Sequence, residues 1–457
     1  GEDIPDESAQ EPVEVYVNSR KAEWPEADYV VGNPPFIGDK AMRRALGPGY
    51  VDALRQTWKS EVPGSADFVM YWWNIAANLT RDKSVKQFGL ISTNSIKQRF
   101  NRQVSERYLQ HKSNPIFLVF AVPDHPWVDS ADGAAVRIAM TVGSQISSQG
   151  IRLTLRKELP SDGESKALEF SRETGVVHPD LSIGTNVHDS HALLANSSLA
   201  TVGVQLSGTG FILSPSEANE LGYGERTELS RIIVPYRNGR DIAQTPRGSF
   251  VIDLFGYSSD TVRSEFPNLY QWLYDNVKPE RDHNSRKSYR ENWWLFAEPR
   301  KEWRDIREGL TRFIATVRTS KHRFFVFQEA SVLPDAKLVN FGSDSAFSLG
   351  VLSSRVHVLW AFRSGSNLGA GNDATYNHSK CFNSFPFPAA HKADREVLAR
   401  IADQLDAHRK RQQDQHLGLT MTGMYNVLEK LRREEPLTDK EKQIHEQGLV
   451  SVLRELH

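Results

Sequence analysis

Short apolar runs and helical stripes alternate through the first third of the chain, a pattern that predicts an α/β fold. Tyr29-Val30-Val31 is an apolar run that stops at Gly32-Asn33-Pro34-Pro35, which reads as a strand followed by a loop. Just upstream, Val13-Glu14-Val15-Tyr16-Val17 alternates as a half-buried strand would. From Ala66 to Leu79, the residues Phe68, Trp72, Ile75, Ala76 and Leu79 fall at helical spacing, and the Trp72-Trp73 pair reads as core. Phe88 to Thr93, Ile116 to Val122 and Val136 to Val142 predict three further strands. Strands alternating with helices predict a largely parallel sheet, whose chemistry sits in loops after strand C-termini.

The texture changes near residue 145, where Ser, Gly and Gln cluster between Ser144 and Gly150, and the polar Ser161 to Ser165 stretch follows. Residues 165–345 are mixed and rich in turns. Ser214-Pro215-Ser216-Glu217 fits a capped helix start, as does Thr438-Asp439-Lys440-Glu441. Val397, Leu398, Ile401 and Leu405 form one apolar stripe from Asp394 to about Gln413, so the C-terminal part is expected to be helical. No repeat or low-complexity tract interrupts the chain. These shifts divide it at 1–160, 161–375 and 376–457.

At 457 residues, the length suits about three domains. The charge is balanced, 56 Lys+Arg against 57 Asp+Glu, which excludes a wholly basic nucleic-acid coat protein and an acidic disordered chain. A single cysteine, Cys381, excludes a disulfide framework and a Cys-rich zinc ribbon. The 14 histidines show no HExxH or paired spacing, so no metal is expected. No apolar run reaches about 18 residues, so no membrane span is expected, and a reducing cytoplasm is the default location.

Asn33-Pro34-Pro35-Phe36, directly after the apolar strand, carries a chemical reading. The exocyclic amine of adenine is a poor nucleophile because its lone pair is delocalised into the ring. Two acceptors, the Asn33 carboxamide oxygen and the Pro34 carbonyl, would favour a tetrahedral nitrogen and free that lone pair for a methyl donor. The prolines stiffen the loop and aim the carbonyl. Phe36 would stack on a base flipped out of the duplex. The same tetrapeptide also reads as a plain Pro-Pro turn closing a strand.

The wider sequence resembles the amino-group DNA methyltransferases, in particular the MmeI-like enzymes of Type IIG/IIL restriction–modification systems. Asp28 to Gly38 resembles their catalytic motif, Ala66 to Trp73 the following helix, and Gly89 to Ile96 the next strand and its loop. Val204 to Phe211 is similar to the opening of the family's target-recognition domain, and Leu349 to Ser354 and Phe385 to Pro388 to its closing helices. The resemblance runs in order from about residue 20 to 430. It implies part of a Rossmann-like class I methyltransferase sheet over 1–160. A mixed α+β target-recognition domain over 161–375 and a helical segment over 376–457 would follow. The implied activity is site-specific adenine-N6 methylation of double-stranded DNA with S-adenosylmethionine, and the implied catalytic residues are Asn33, Pro34, Pro35 and Phe36.

Family members place a Gly-rich cofactor loop and an acidic ribose ligand ahead of the Asn-Pro-Pro-Phe loop, and the 32 residues before Asn33 hold neither. The resemblance therefore implies a C-terminal half, inactive alone, whose partner would be an N-terminal methyltransferase half or nuclease portion. Leu206 to Phe211 superficially fits a Gly-rich loop, but Ile212-Leu213 continues the apolar run, and Ile232-Ile233-Val234 ends in Pro235-Tyr236-Arg237 with no acid. The rival reading is a DNA-recognition module without catalysis, or the specificity half of a split enzyme. A methyltransferase acting on RNA or protein would share the loop but leave the recognition-like region without a role.

DNA contacts need local positive charge. Arg281 to Arg323 holds 12 bases and 6 acids, the most basic block of the chain. Within it Arg318, Lys321, His322 and Arg323 are candidate phosphate contacts, interleaved with Phe324 and Phe325. Residues 300–308 read instead as a solvated helix face. Lys97, Arg99 and Arg102 follow the Thr93-Asn94-Ser95 strand end, on the rim expected to carry Asn33, and could hold phosphates or line a solvated loop. Asp67 could approach a cofactor or cap the helix that follows it.

Overall fold

The computed structural model describes residues 14–127, 137–159, 167–185, 187, 190–368 and 373–457. It divides into two compact units, 1–186 and 187–457.

In the first unit the apolar runs become strands of one six-stranded sheet. These are β1 (Tyr29–Gly32), β2 (Gln87–Thr93), β3 (Phe117–Pro126), β4 (Arg137–Ser144), β5 (Gly150–Leu159) and β6 (Ala167–Gly175). The helices are α1 (Asp39–Leu46), α2 (Pro48–Thr57), α3 (Val69–Arg81) and α4 (Arg99–Leu109). The strand order is β1-β2-β4-β3-β5-β6. β1 pairs parallel with β2, and β3 parallel with β5. β4 runs antiparallel between β2 and β3, and β6 antiparallel beside β5. The sheet is therefore mixed, where alternation of strands and helices predicts a mostly parallel one. Physically, β3 ends at Pro126 and β4 begins at Arg137, too few residues for the dozen or more that a parallel crossover needs, so neighbouring β3 and β4 run opposite ways. The β5–β6 pair carries this sheet past residue 160. Residues 14–17 of the expected upstream strand are not in strand geometry, and Val13 lies outside the described residues.

The core of this unit forms where α3 lies on β2 and β4. Trp73 is fully buried, meets Phe88 edge-on at 5.2 Å and donates its indole N–H to Thr141 Oγ1 at 3.2 Å. Phe88 sits opposite Gly143 in the ladder, and a Cβ there would come within 2.1 Å of its ring, so only glycine lets the ring lie flat on β4. The Tyr108 hydroxyl donates to Asn74 Oδ1 at 2.8 Å, tying α4 to α3. With β1, β2 and β3 running the same way, Gly32, Thr93 and Pro126 end on one edge of the sheet, where β4 begins at Arg137.

Among its described residues the second unit holds two four-stranded sheets and one three-stranded sheet. In one, 312–317 is flanked by 326–329 and 338–341, with 200–202 at the end. In another, 233–237 lies between 333–334 and 250–252. Ser214 and Thr438 form the expected capping boxes. The stripe of Leu398 and Leu405 lies on a helix spanning Lys392–Gln415, followed by Met421–Arg432, Asp439–Gly448 and Val450–Leu456. Residues 209–211 form a short 3-10 turn that leads straight into the strand Ile212–Leu213, rather than opening a helix. Among the described residues, no helix is long and apolar enough to cross a membrane.

Candidate active site

The Asn33–Phe36 loop leaves the C-terminal end of β1, whose last residue Gly32 is paired with Leu90. Its residues alternate in exposure: Asn33 and Pro35 face outward, Pro34 is buried and Phe36 is half-buried. No described residue hydrogen-bonds the Asn33 carboxamide. The chain behind the loop is clamped. Pro35 O accepts from the Ile37 N–H at 3.2 Å, and Ile37 O accepts from the Phe68 N–H at 2.9 Å. A buried proline between two fixed ends holds the loop with little backbone freedom to lose.

Asp67 anchors this clamp. Its carboxylate accepts from the Asp39 N–H at 3.1 Å, from Ser95 Oγ at 2.5 Å and from Asn101 Nδ2 at 2.7 Å. Its own N–H donates to Asn101 Oδ1 at 2.8 Å, and Asn101 Nδ2 also reaches Ser95 O at 3.0 Å. Three segments therefore meet at one carboxylate: the start of α1, the turn after β2 and α4. Asp67 does not cap α3, whose N-cap is Phe68. Sequence reasoning did not single out Ser95 and Asn101 as a pair. The available signal was Asn101, a polar residue 3% exposed inside a helix.

Beside this network the rim is polar. Asp124 accepts from Arg137 Nε at 2.7 Å and from Asn94 Nδ2 at 3.2 Å. Lys97, half-buried at the end of the 3-10 turn Asn94–Lys97, has its amine pushed below the usual lysine range by burial, with Asp124 as the leading opposing charge. Arg99 is exposed with its guanidinium 5.7 Å from the Phe100 ring centroid, and Arg102 pairs with Glu106 at 2.7 Å. Among the described residues no group of three or more His, Cys, Asp or Glu could hold a metal.

The other candidate contacts lie in the second unit and separate into two kinds. Arg318 and Lys321 are exposed. Arg323 is 4% exposed and spends its donors inside the fold, on Thr316 Oγ1 at 3.1 Å, on Ala374 O at 3.0 Å and on Val317 O. His322 is buried against Asn426 Oδ1 at 2.9 Å, and burial pushes its pKa down. Phe324 and Phe325 are core residues. In 300–308, Arg304 grips Asp253 through two bonds of 2.8 and 2.9 Å.

Residues 7–154 match the family model described as the MmeI DNA-methyltransferase domain. This segment is similar to the MmeI DNA-methyltransferase domain, as the sequence resemblance implied. The chain is 22% identical over 427 residues to DNA methyltransferase A of Bacillus subtilis (strain 168), covering 90% of this chain and 45% of that protein. Its fold is similar to that of the Type IIL restriction–modification enzyme MmeI solved in complex with DNA, with a TM-score of 0.64 at 17% identity, over 94% of this chain and 53% of that one. The chain thus spans about half the length of the relatives it matches.

Proposed function

We propose that this chain is part of a DNA methyltransferase that modifies the N6 amine of an adenine flipped out of double-stranded DNA. The supporting observation is the Asn33–Phe36 loop. It leaves a strand end inside the matched domain, with Asn33 exposed and free of described partners and the chain behind it clamped by Asp67 and Phe68. Asn33 Oδ1 and Pro34 O accept the two amine hydrogens and favour a pyramidal nitrogen, and Phe36 packs on the base. S-adenosylmethionine supplies the methyl group. No residue of this chain is assigned to its binding. β1 is a terminal strand of the sheet, and Tyr29 and Val31 on one of its faces are 58% and 86% exposed, so this is where further strands and helices of a Rossmann-like sheet would add. The order β1-β2-β4-β3 with one antiparallel member is consistent with one half of such a sheet. The 187–457 unit is the part we assign to target recognition, with its C-terminal helices.

The test is Asn33→Ala in the full-length protein. Methyl transfer to duplex DNA is expected to vanish while DNA binding persists. Loss of both would make the loop structural, and wild-type binding without any transfer would favour a recognition module.

A further inference from the structure

In the 187–457 unit, we propose that a cationic cleft holds a backbone phosphodiester of the nucleic acid, an assignment that rests on the DNA reading above. The cleft has a volume of about 330 Å³. Its walls carry Lys321, Arg355, Arg432 and Arg433, contributed by three separate stretches of chain. The acid among the lining residues, Glu429, is already engaged with Arg432 at 3.0 Å. Lys321 has a neutral partner, Asn426 Oδ1 at 2.8 Å, which orients the ammonium and leaves its charge uncompensated.

Two further features suit an anion. Arg355 is the first residue of the helix Arg355–Ser364, so the positive end of a ten-residue helix joins the side-chain charge. Ser353, 4% exposed, lines the same cleft, and its buried hydroxyl has no hydrogen-bond partner among the described residues. Buried hydroxyls of this kind ordinarily find a partner. Arg432 is held by Glu429 and Arg433 lies 3.8 Å from Glu435, so Lys321 and Arg355 carry the charge of the cleft that has no acidic partner among the described residues, an arrangement that suits a phosphate. Along the same helix face as Arg355 lie the apolar Val358 and Phe362, the latter 41% exposed, which accommodate a sugar beside the phosphate.

This cleft was only partly visible in the basic block. Lys321 belongs to that block, whereas Arg355, Arg432 and Arg433 come from helices far along the chain. Arg323, the block's last member, lines the cleft but its guanidinium serves the fold.

The test is the salt dependence of duplex binding by the full-length protein, by fluorescence anisotropy between roughly 50 and 200 mM salt. Each phosphate contact contributes about 0.9 to the slope of log K against log salt. The triple variant Lys321→Ala, Arg355→Ala, Arg433→Ala is expected to lower that slope by about one to two and to weaken binding on the order of tenfold, for cognate and non-cognate duplexes alike. A control with the same charge change, Lys392→Ala, Lys442→Ala, Arg454→Ala, keeps the wild-type slope. Unchanged binding in the cleft variant, or an equal loss in the control, overturns the cleft while leaving the DNA reading intact. Selective loss of one target sequence would make the cleft a base reader and also overturns the phosphate assignment. Absence of salt-dependent duplex binding by the wild type overturns the DNA reading and the cleft together.

Discussion

Replacing Asp67 by alanine removes the acceptor on which three donors converge, at 3.1, 2.5 and 2.7 Å. Hydrogen bonds to a charged group contribute roughly 1.5–3 kcal/mol each, but these three share one half-exposed carboxylate and are not additive. Water can replace the carboxylate for the Asp39 N–H and for Ser95. Asn101, 3% exposed, keeps its amide bonds to Ser95 O and Ser95 Oγ and still accepts from the backbone N–H of residue 67. The net loss expected is therefore about 2–4 kcal/mol of first-unit stability. Asp67→Asn is a finer probe. It keeps an acceptor for Asp39 but points an NH2 at the Asn101 amide. That amide cannot flip without breaking its bonds to the Asp67 N–H and Ser95 O. A cost of about 1–3 kcal/mol is expected. Ser95→Ala should cost about 1 kcal/mol alone and less in the Asp67→Ala background, because its partner is already gone. Urea denaturation gives the global values, and hydrogen exchange over residues 33–46 and 94–101 reads the local opening, expected to rise at least about tenfold in Asp67→Ala. An unchanged urea midpoint with unchanged exchange in these segments would refute the clamp.

Arg323→Ala should destabilise the second unit by about 3–5 kcal/mol, because it strips donors from buried carbonyls, whereas Lys321→Ala should stay within about 1 kcal/mol; thermal unfolding separates the two, and equal small effects would return Arg323 to the surface. His357 is buried, its ring held between Leu352 O at 2.9 Å and the Tyr376 hydroxyl at 3.2 Å, and burial pushes its pKa down to about 4 from 6.5. The unfolded chain binds this proton below 6.5 and the folded one only below about 4. The second unit is therefore expected to lose up to about 3 kcal/mol as pH falls between those values, with full stability above the higher one. Burial lowers His322, His378, His408 and His457 in the same direction. Denaturation midpoints at pH 7 and 4.5 should fall less steeply in His357→Gln, and an identical slope would exclude this residue as a source. Asn33→Ala should change stability by less than about 0.5 kcal/mol, since its side chain is exposed and has no described partner; a larger loss in the same denaturation series would mean the side chain holds the loop.

The candidate loop was legible because its cues are local. A short apolar run stopped by Gly32-Asn33-Pro34-Pro35 places a strand and its end within seven residues of sequence. The capping boxes at Ser214 and Thr438 are local in the same way. Strand direction was not legible: 136–142 reads the same in either orientation, and β4 is fixed by partners in β2 and β3 that the pattern does not name. The role of Asp67 depends on Ser95 and Asn101, brought in by β2 and α4. Arg323 looked like part of an exposed basic face because two of its acceptors are backbone carbonyls, one of them 51 residues away, and carbonyls leave no mark in the sequence. Arg281 is the same case: it is 1% exposed and donates to Leu206 O at 2.8 Å.

The most direct measurement follows a labelled methyl group from S-adenosylmethionine into duplex DNA with the full-length protein, then digests the product to nucleosides. The account predicts label on N6-methyladenine alone, and none with Asn33→Ala. Label on a cytosine, label on RNA or protein with DNA silent, or undiminished transfer by Asn33→Ala would contradict it.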